Sequence, residues 1–327
     1  MPDEVVSIVD LKKYFSTRSG VVKAVDGVDL SISAGQVFGF LGPNGAGKTT
    51  TLRILATLIP PDSGQAVVAG YDVLRNPDAV RRRIGYVGQS GGADRPATGR
   101  EDLTLQGRLY GMPKAEASKR TEELIDLLDL TDFADRIVYT YSGGQRRRLD
   151  VALGIMHRPQ VLFLDEPTTG LDPQNRANLW EQIAKLKATG TTIFLTTHYL
   201  EEADVLSDRL AIMDYGRIVA EGTPAELKKQ VALDTIRVTL GSPALGEAAV
   251  RRALEGQATV RSVGQEPDCV RISVDDGGAA LPQVMRALDQ GGIAISTISL
   301  STPTLDDVFL EKTGRSLRDT AAEGGAR

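Results

Sequence analysis

The sequence predicts an α/β core with mainly parallel strands, followed by a small α+β unit, and three observations carry that expectation. Over roughly the first 225 residues, short apolar runs alternate with helical patterns and glycine-rich turns, as in a sheet covered by helices. From about Leu233 the texture changes to strictly alternating strands and amphipathic helices. The length of 327 residues itself suits about two domains.

Taken in order, the candidate strands of the first region are Val37-Phe38-Gly39-Phe40-Leu41, Ile84-Gly85-Tyr86-Val87, Val161 to Leu164 and Thr192 to Thr196. Each is short, apolar or β-branched, and bounded by Gly, Pro or Asp. The unbroken run Val161-Leu162-Phe163-Leu164 suits a central strand covered on both faces. Between Glu101 and Leu130 the charged helical sequence, with Leu124, Ile125, Leu127 and Leu128, predicts an inserted helical subdomain at about 95–155. Beyond residue 230, Ile236, Val238 and Leu240 alternate, and Val250, Ala253 and Leu254 follow helical spacing. The Val260 region supplies a strand before the alternating Val270, Ile272 and Val274. Leu281, Val284, Met285 and Leu288 then fall at i, i+3, i+4, i+7, an amphipathic helix. Ile293, Ile295 and Ile298 suggest a last strand, and Leu305 to Lys312 a closing helix with an apolar face at Leu305, Val308, Phe309 and Leu310. The order β-α-β-β-α-β is ferredoxin-like. The expected domains are therefore 1–230 and 231–314, with 315–327 a disordered polar tail.

Composition narrows the function. Lys and Arg number 38 against 43 Asp and Glu, a net charge of −5, which argues against a nucleic-acid coat or a membrane-surface binder. The single cysteine, Cys269, excludes an intrachain disulfide and a thiolate zinc site. The acidic Met-Pro-Asp-Glu start lacks a signal-peptide pattern, and no apolar stretch approaches the ~20 residues of a bilayer span. These features predict a cytosolic chain.

Gly42-Pro43-Asn44-Gly45-Ala46-Gly47-Lys48-Thr49 fits G-x-x-x-x-G-K-[ST] directly after an apolar strand and before a helical run from Thr50. Such glycines let backbone N–H groups close around phosphate oxygens, and the next helix points its positive end at them. Lys48 is placed to reach the β/γ-phosphates and the Thr49 hydroxyl to coordinate Mg²⁺. Asp165 and Glu166 end the buried strand beginning at Val161, and strand alternation sends their side chains different ways. Asp165 is thereby expected to serve the magnesium shell, and Glu166 to orient the water attacking the γ-phosphate. Ser142-Gly143-Gly144-Gln145 starts a second helix; a plain Ser142 cap accounts for the serine but not for the two glycines.

With that segment the chain resembles the ATP-binding cassettes of ABC transporters: a P-loop NTPase with a RecA-like parallel-sheet core and a helical subdomain. Lys48, Gln89, Ser142, Asp165, Asp172 and His198 stand in the family's order. The resemblance implies a head-to-tail homodimer around two ATP, with Ser142 and Gly144 of one subunit binding the γ-phosphate held by the other's P-loop. It implies that Gln89 is the Q-loop ligand of Mg²⁺ and water, that Asp172 crosses the dimer interface, and that His198 contacts the γ-phosphate. It also implies an aromatic stacked on adenine, where Tyr14 and Phe15 are adjacent and register favours Phe15. His157 reads as an ordinary structural histidine. The Arg81-Arg82-Arg83 and Arg146-Arg147-Arg148 triplets read as solvated helix faces or partner contacts, since no aromatic interleaving suggests nucleic acid.

Within the family the chain is most similar to the daunorubicin-resistance type of exporter subunit, through Thr98-Gly99-Arg100-Glu101-Asp102-Leu103, Tyr139-Thr140-Tyr141-Ser142 and Pro303-Thr304-Leu305-Asp306-Asp307-Val308-Phe309-Leu310. That implies a peripheral protein on the cytoplasmic side of the membrane, driving a separate ABC-2-type permease that exports a drug, antibiotic or other hydrophobic compound. The segment Gln89-Ser90-Gly91-Gly92-Ala93-Asp94-Arg95-Pro96 departs from the usual acidic, bulkier loop. A non-transport ABC ATPase on ribosomes or DNA, and an importer ATPase, are the alternative readings. The single P-loop and the absence of a heptad run disfavour the first, and the Pro303 to Leu310 segment disfavours the second.

Overall fold

In a computed structural model, residues 4–18, 20–94, 96–231, 233–241, 246–266 and 268–315 are described here. The expected tail beyond Arg315, and Arg95 of the loop after Gln89, lie outside them. The chain divides into two compact units, one running to Pro224 and regaining the chain at Lys312, the other Ala225–Glu311.

The first unit opens with two long strands, β1 (Glu4–Thr17) and β2 (Gly20–Ser33), then β3 (Val37–Leu41) and helix α1 (Lys48–Leu55). Strands β4 (Ser63–Val68) and β5 (Tyr71–Asp72), helix α2 (Pro77–Arg81) and β6 (Ile84–Val87) follow. The helical insertion consists of α3 (Gly99–Leu109), α4 (Lys114–Leu127) and α5 (Gly143–Gly154). Then come β7 (Val161–Asp165), α6 (Pro173–Ala188), β8 (Thr192–Thr197), α7 (Leu200–Leu206), β9 (Arg209–Asp214) and β10 (Arg217–Gly222).

Strands β3, β6, β7, β8 and β9 pair in parallel, with β10 antiparallel at one edge, in the order β10-β9-β3-β8-β7-β6. Alternation divides their side chains between two apolar clusters. Phe38, Phe40, Phe163 and Phe194 face α1, whereas Val37, Leu162, Leu164 and Leu195 face the cluster built with α5 and α6. Burial on both faces is why these strands read as continuous apolar runs. A second sheet, antiparallel β2-β1-β4-β5, lies outside the expectation of mainly parallel strands. Four register shifts interrupt the β1–β2 ladder, so its alternation is broken in the sequence.

In the second unit, α8 (Pro224–Val231) precedes β11 (Asp234–Leu240), α9 (Glu247–Ala253), β12 (Val260–Gln265), β13 (Val270–Val274), α10 (Gly277–Gln290), β14 (Ile295–Ser301) and α11 (Leu305–Thr313). Its antiparallel sheet runs β12-β13-β11-β14, the ferredoxin-like order. Ile236, Val238, Val270, Ile272 and Val274 build its core with Val284 and Leu288. One sequence expectation shifts here. Met285 is 44% exposed, and the buried face of α10 is Ala280, Val284, Ala287 and Leu288. Leu305, Val308 and Phe309 are buried, while Leu310 is exposed.

Candidate active site

Three segments of the first unit converge at the C-terminal ends of the parallel strands. The first is the turn from β3 into α1. Gly47 has φ 108°, and a Cβ there would lie 2.0 Å from the Ala24 carbonyl oxygen; at Gly42 it would lie 2.2 Å from that of Met213. Only glycine fits either place. Asn44 and Gly45 are exposed, Pro43 is buried, and buried Ala46 accepts a bond from Gly216 N–H at 2.9 Å. Lys48 is 3% exposed and donates to the carbonyls of Gly42 (2.7 Å) and Pro43 (3.0 Å). Burial pushes its ammonium below the usual lysine range, against the pull of Glu166 3.6 Å away. The first turn of α1 carries no acidic residue, which leaves its positive end open to an anion.

The second segment is the end of β7. Asp165 is 1% exposed, and its Oδ1 accepts from Thr49 Oγ1 (2.8 Å) and Thr196 Oγ1 (2.7 Å). Its Oδ2 is buried without a hydrogen-bond partner among the described residues. Glu166 leaves the strand at φ 45°, a left-handed conformation costing of order 1–3 kcal/mol in a non-glycine residue. Its backbone N–H donates to Thr196 Oγ1 at 3.0 Å, and its Oε2 accepts from Thr169 Oγ1 at 3.1 Å. His198 Nδ1 lies 3.2 Å from the same Oε2, without hydrogen-bond alignment. Burial pushes the Glu166 carboxyl up, but the His198 imidazole and the Lys48 charge outweigh it and hold the group below its ordinary value.

The third segment follows β6 and brings Gln89 to the same place. A cavity of about 470 Å³ is lined by Phe15, Val22, Ala24, Asn44, Gly45, Gly47, Lys48, Thr49, Thr50, Gln89 and Glu166. The two neighbouring aromatics separate here. Phe15 faces the cavity, whereas Tyr14 donates its hydroxyl to Asp26 at 2.5 Å, with Lys23 Nζ over its ring. Hydrogen bonding to Tyr14 and Arg217 lowers the Asp26 carboxyl to about 2.

Of the other expected residues, Ser142, Gly143 and Asp172 are exposed and Gly144 is buried. Exposed Ser142 caps α5, accepting from Gln145 N–H at 3.2 Å, while the Gln145 side chain accepts from Ser142 N–H at 3.0 Å. A Cβ on Gly144 would lie 2.2 Å from Asn175 Oδ1, so packing within the chain requires that glycine. Gly143 has no such constraint, its nearest neighbour being Leu171 at 3.8 Å. Asp172 caps α6 through Asn175 N–H at 3.0 Å. His157 is half-buried, 2.9 Å from the Ile84 carbonyl oxygen and stacked on Tyr110.

Sequence reasoning missed Thr196, Thr169 and Arg147. The arginine triplet is not a uniform solvated face: Arg147 is 7% exposed and donates to the carbonyls of Gly88, Asp165 and Pro167. Its helical spacing from buried Gly144 and Val151 was the available signal.

A sequence profile described as ABC transporter matches residues 25–169, and one described as the C-terminal domain of DrrA1-3-like ATP-binding proteins matches residues 222–313. The chain is 45% identical over 317 residues to the daunorubicin/doxorubicin resistance ATP-binding protein DrrA of Streptomyces peucetius, covering 97% of this chain and 94% of that protein. It is 36% identical over 314 residues to the linearmycin resistance ATP-binding protein LnrL of Bacillus subtilis, covering 95% and 98%. Among solved structures, the dimeric post-hydrolysis state of an ATP-binding cassette bound to ADP and Pi matches with TM-score 0.61 and 25% identity, over 67% of this chain and 98% of that one. With a cavity ringed by glycine-rich backbone, a lysine and a carboxylate at the strand ends, the chain belongs to the ABC transporter family, as an ATP-hydrolysing subunit of its drug-resistance and export branch.

Proposed function

We propose that this chain pairs with a second copy around two ATP molecules and drives a separate ABC-2-type permease that exports a drug, antibiotic or other hydrophobic compound. The observation that carries the chemistry is Asp165 Oδ2, buried beside the Thr49 hydroxyl and without a partner among the described residues. A buried carboxylate oxygen is costly to leave unbonded, and an all-oxygen donor set suits Mg²⁺. Thr49, Asp165 and Gln89 would hold that ion, which supplies charge neutralisation on the β- and γ-phosphate oxygens.

The remaining roles belong to side chains of this protein. Lys48, Gly42 to Gly47, Thr49 and Thr50 bind the phosphates, and Phe15 stacks on adenine. Glu166, kept ionised, accepts hydrogen bonding from the attacking water and orients it; His198, with Nδ1 3.2 Å from Glu166 Oε2, contacts the γ-phosphate. Gly143 supports a site completed by a second subunit, because nothing among the described residues requires a glycine at that exposed helix start. Ser142, Gly143, Gly144 and Gln145 would approach the partner's γ-phosphate, and Asp172 the interface. The hydroxyl of Ser142 can donate to a phosphate while still accepting from Gln145.

Residues 231–314 are assigned as an accessory domain acting on assembly and coupling. Among the described residues no helix is long and apolar enough to cross a membrane, which agrees with a permease on another polypeptide and a place at the cytoplasmic face. The drug cargo rests on the names of the relatives. The test is sedimentation of Glu166→Gln protein with saturating ATP and magnesium: a dimer is expected, and a monomer, alone and with the permease present, would refute the paired site.

A further inference from the structure

The helix that begins at Ser142 holds the loop carrying Gln89 from both sides. Arg147 and Asp150 stand three residues apart on α5 and share one face. Before Gln89, Arg147 Nη1 donates to the Gly88 carbonyl at 2.6 Å. The same guanidinium reaches the end of β7 and beyond, donating from Nη2 to Asp165 O at 3.1 Å and from Nε to Pro167 O at 2.8 Å. After Gln89, the Asp150 carboxylate Oδ1 accepts from the backbone N–H groups of Gly92 (2.8 Å) and Ala93 (3.0 Å).

Both side chains are buried, Arg147 at 7% and Asp150 at 6% exposure. The arrangement also accounts for the first of the two glycines that set this loop apart. Gly91 has φ 71°, and a Cβ there would lie 2.4 Å from Asp150 Oδ2. A side chain at 91 and the carboxylate at 150 could not coexist in this arrangement. Only a planar guanidinium presents enough fixed donors for three separate carbonyls; a lysine ammonium is a single point on a flexible stem.

We propose that Arg147 and Asp150 are positioning residues that clamp the loop on either side of Gln89, so that the helix bearing Ser142–Gln145 sets where Gln89 stands in the nucleotide cavity. This rests on the reading of Gln89 as a member of the ATP site. The physical consequence is that a displacement of α5 is passed to Gln89 through buried hydrogen bonds, and to the strand end holding Asp165 through the same arginine.

The experiment uses the full chain with Asp150→Ala, Asp150→Asn and Arg147→Lys, each also combined with Gln89→Ala. Hydrogen exchange at Gly92 and Ala93 should accelerate at least about tenfold in Asp150→Ala while Gly143–Gly154 stays protected. Turnover should fall about ten- to hundredfold with KM for Mg–ATP within about twofold, and Asp150→Asn should retain part of the rate because its amide oxygen still accepts. In the Gln89→Ala background, Asp150→Ala should lower turnover no further. Multiplication of the two losses, or unchanged exchange at Gly92 and Ala93, would overturn the clamp. If Arg147→Lys does not fold, the Asp150 variants carry the same comparison. A Gln89→Ala chain turning over at the parent rate would refute the role of Gln89 itself; faster exchange in Asp150→Ala would then mark a clamp of purely structural use.

Discussion

Replacing Thr196 by valine tests how the two carboxylates are held. Thr196 is fully buried near the end of β8, and its hydroxyl makes two bonds at once. It donates to Asp165 Oδ1 at 2.7 Å and accepts from Glu166 N–H at 3.0 Å. Valine keeps the branched shape and removes both. A bond to an ionised group is worth about 1.5–3 kcal/mol, whereas Glu166 N–H retains the Thr196 carbonyl at 3.1 Å as an acceptor, so its loss is small. The net cost is about 2 kcal/mol, which in a unit of roughly 150–250 residues lowers the melting temperature by about 4–8 °C. Turnover should fall about tenfold, because Asp165 and Glu166 lose a shared anchor, while ATP affinity stays near the parent's since Lys48 does not depend on Thr196. Thr196→Ser is the control: it keeps the hydroxyl and forfeits a methyl group worth about 1 kcal/mol. Thermal unfolding followed by circular dichroism, together with Mg–ATP hydrolysis, reads both effects. If the valine variant melts with the serine variant and hydrolyses ATP within about twofold of the parent, the shared anchor is not what holds the carboxylates.

Lys48→Ala should lose ATP binding, whereas Glu166→Gln should bind ATP and hardly hydrolyse it; equal loss of nucleotide binding in both, measured with a fluorescent ATP analogue, would end that division of roles. Chelation of magnesium should abolish hydrolysis in the parent, and restoration by added Mg²⁺ checks it. Phe15→Ala should weaken ATP binding about ten- to hundredfold, as loss of base stacking does, while Phe15→Trp preserves it and Tyr14→Phe leaves it nearly unchanged. In the second unit, Leu288→Ala should cost about 2–5 kcal/mol and Met285→Ala under about 1 kcal/mol, both leaving ATP binding intact. Denaturant melts of the two variants separate the buried from the exposed position on α10.

The turn from β3 into α1 was legible because its geometry leaves few residue choices. Backbone at φ 108° packed against the Ala24 carbonyl needs glycine at 47, and a strand covered on both faces needs the run from Val161 to Leu164. The ferredoxin-like unit was legible for a related reason: a sheet packed on one face alternates, as Val270, Ile272 and Val274 do. The antiparallel β1–β2 pair was not, because register shifts at Leu11, Lys12 and Tyr14 break its period of two. On α10 the buried face runs through Ala280 and Ala287 rather than Met285, and alanine carries little hydrophobic signal. Arg147 was misread because charge dominates any reading from composition, whereas three backbone carbonyls at strand ends are invisible in sequence.

The strand end at β7 also explains how neighbouring carboxylates reach different tasks. Asp165 is the last residue with strand geometry; its side chain is fixed by Thr49 and Thr196 at one oxygen, and the other is buried without a partner among the described residues. Glu166 takes a left-handed turn immediately afterwards, which sends its carboxylate toward Lys48, Thr169 and His198 instead. A regular strand would also have separated the two groups, but onto opposite faces of the sheet, each within an apolar cluster. The turn keeps both at the rim of one sheet, with Glu166 lining the cavity and Asp165 joined to it through Thr49. The conformational cost, of order 1–3 kcal/mol, is offset by the two acceptors that Thr196 offers to Glu166 N–H. The strain is thus located at the residue assigned to water, and the rigid bonds at the residue assigned to the metal. That division follows from one backbone torsion at Glu166, and Thr196 is the residue whose hydroxyl bonds to both neighbours, Asp165 Oδ1 and Glu166 N–H.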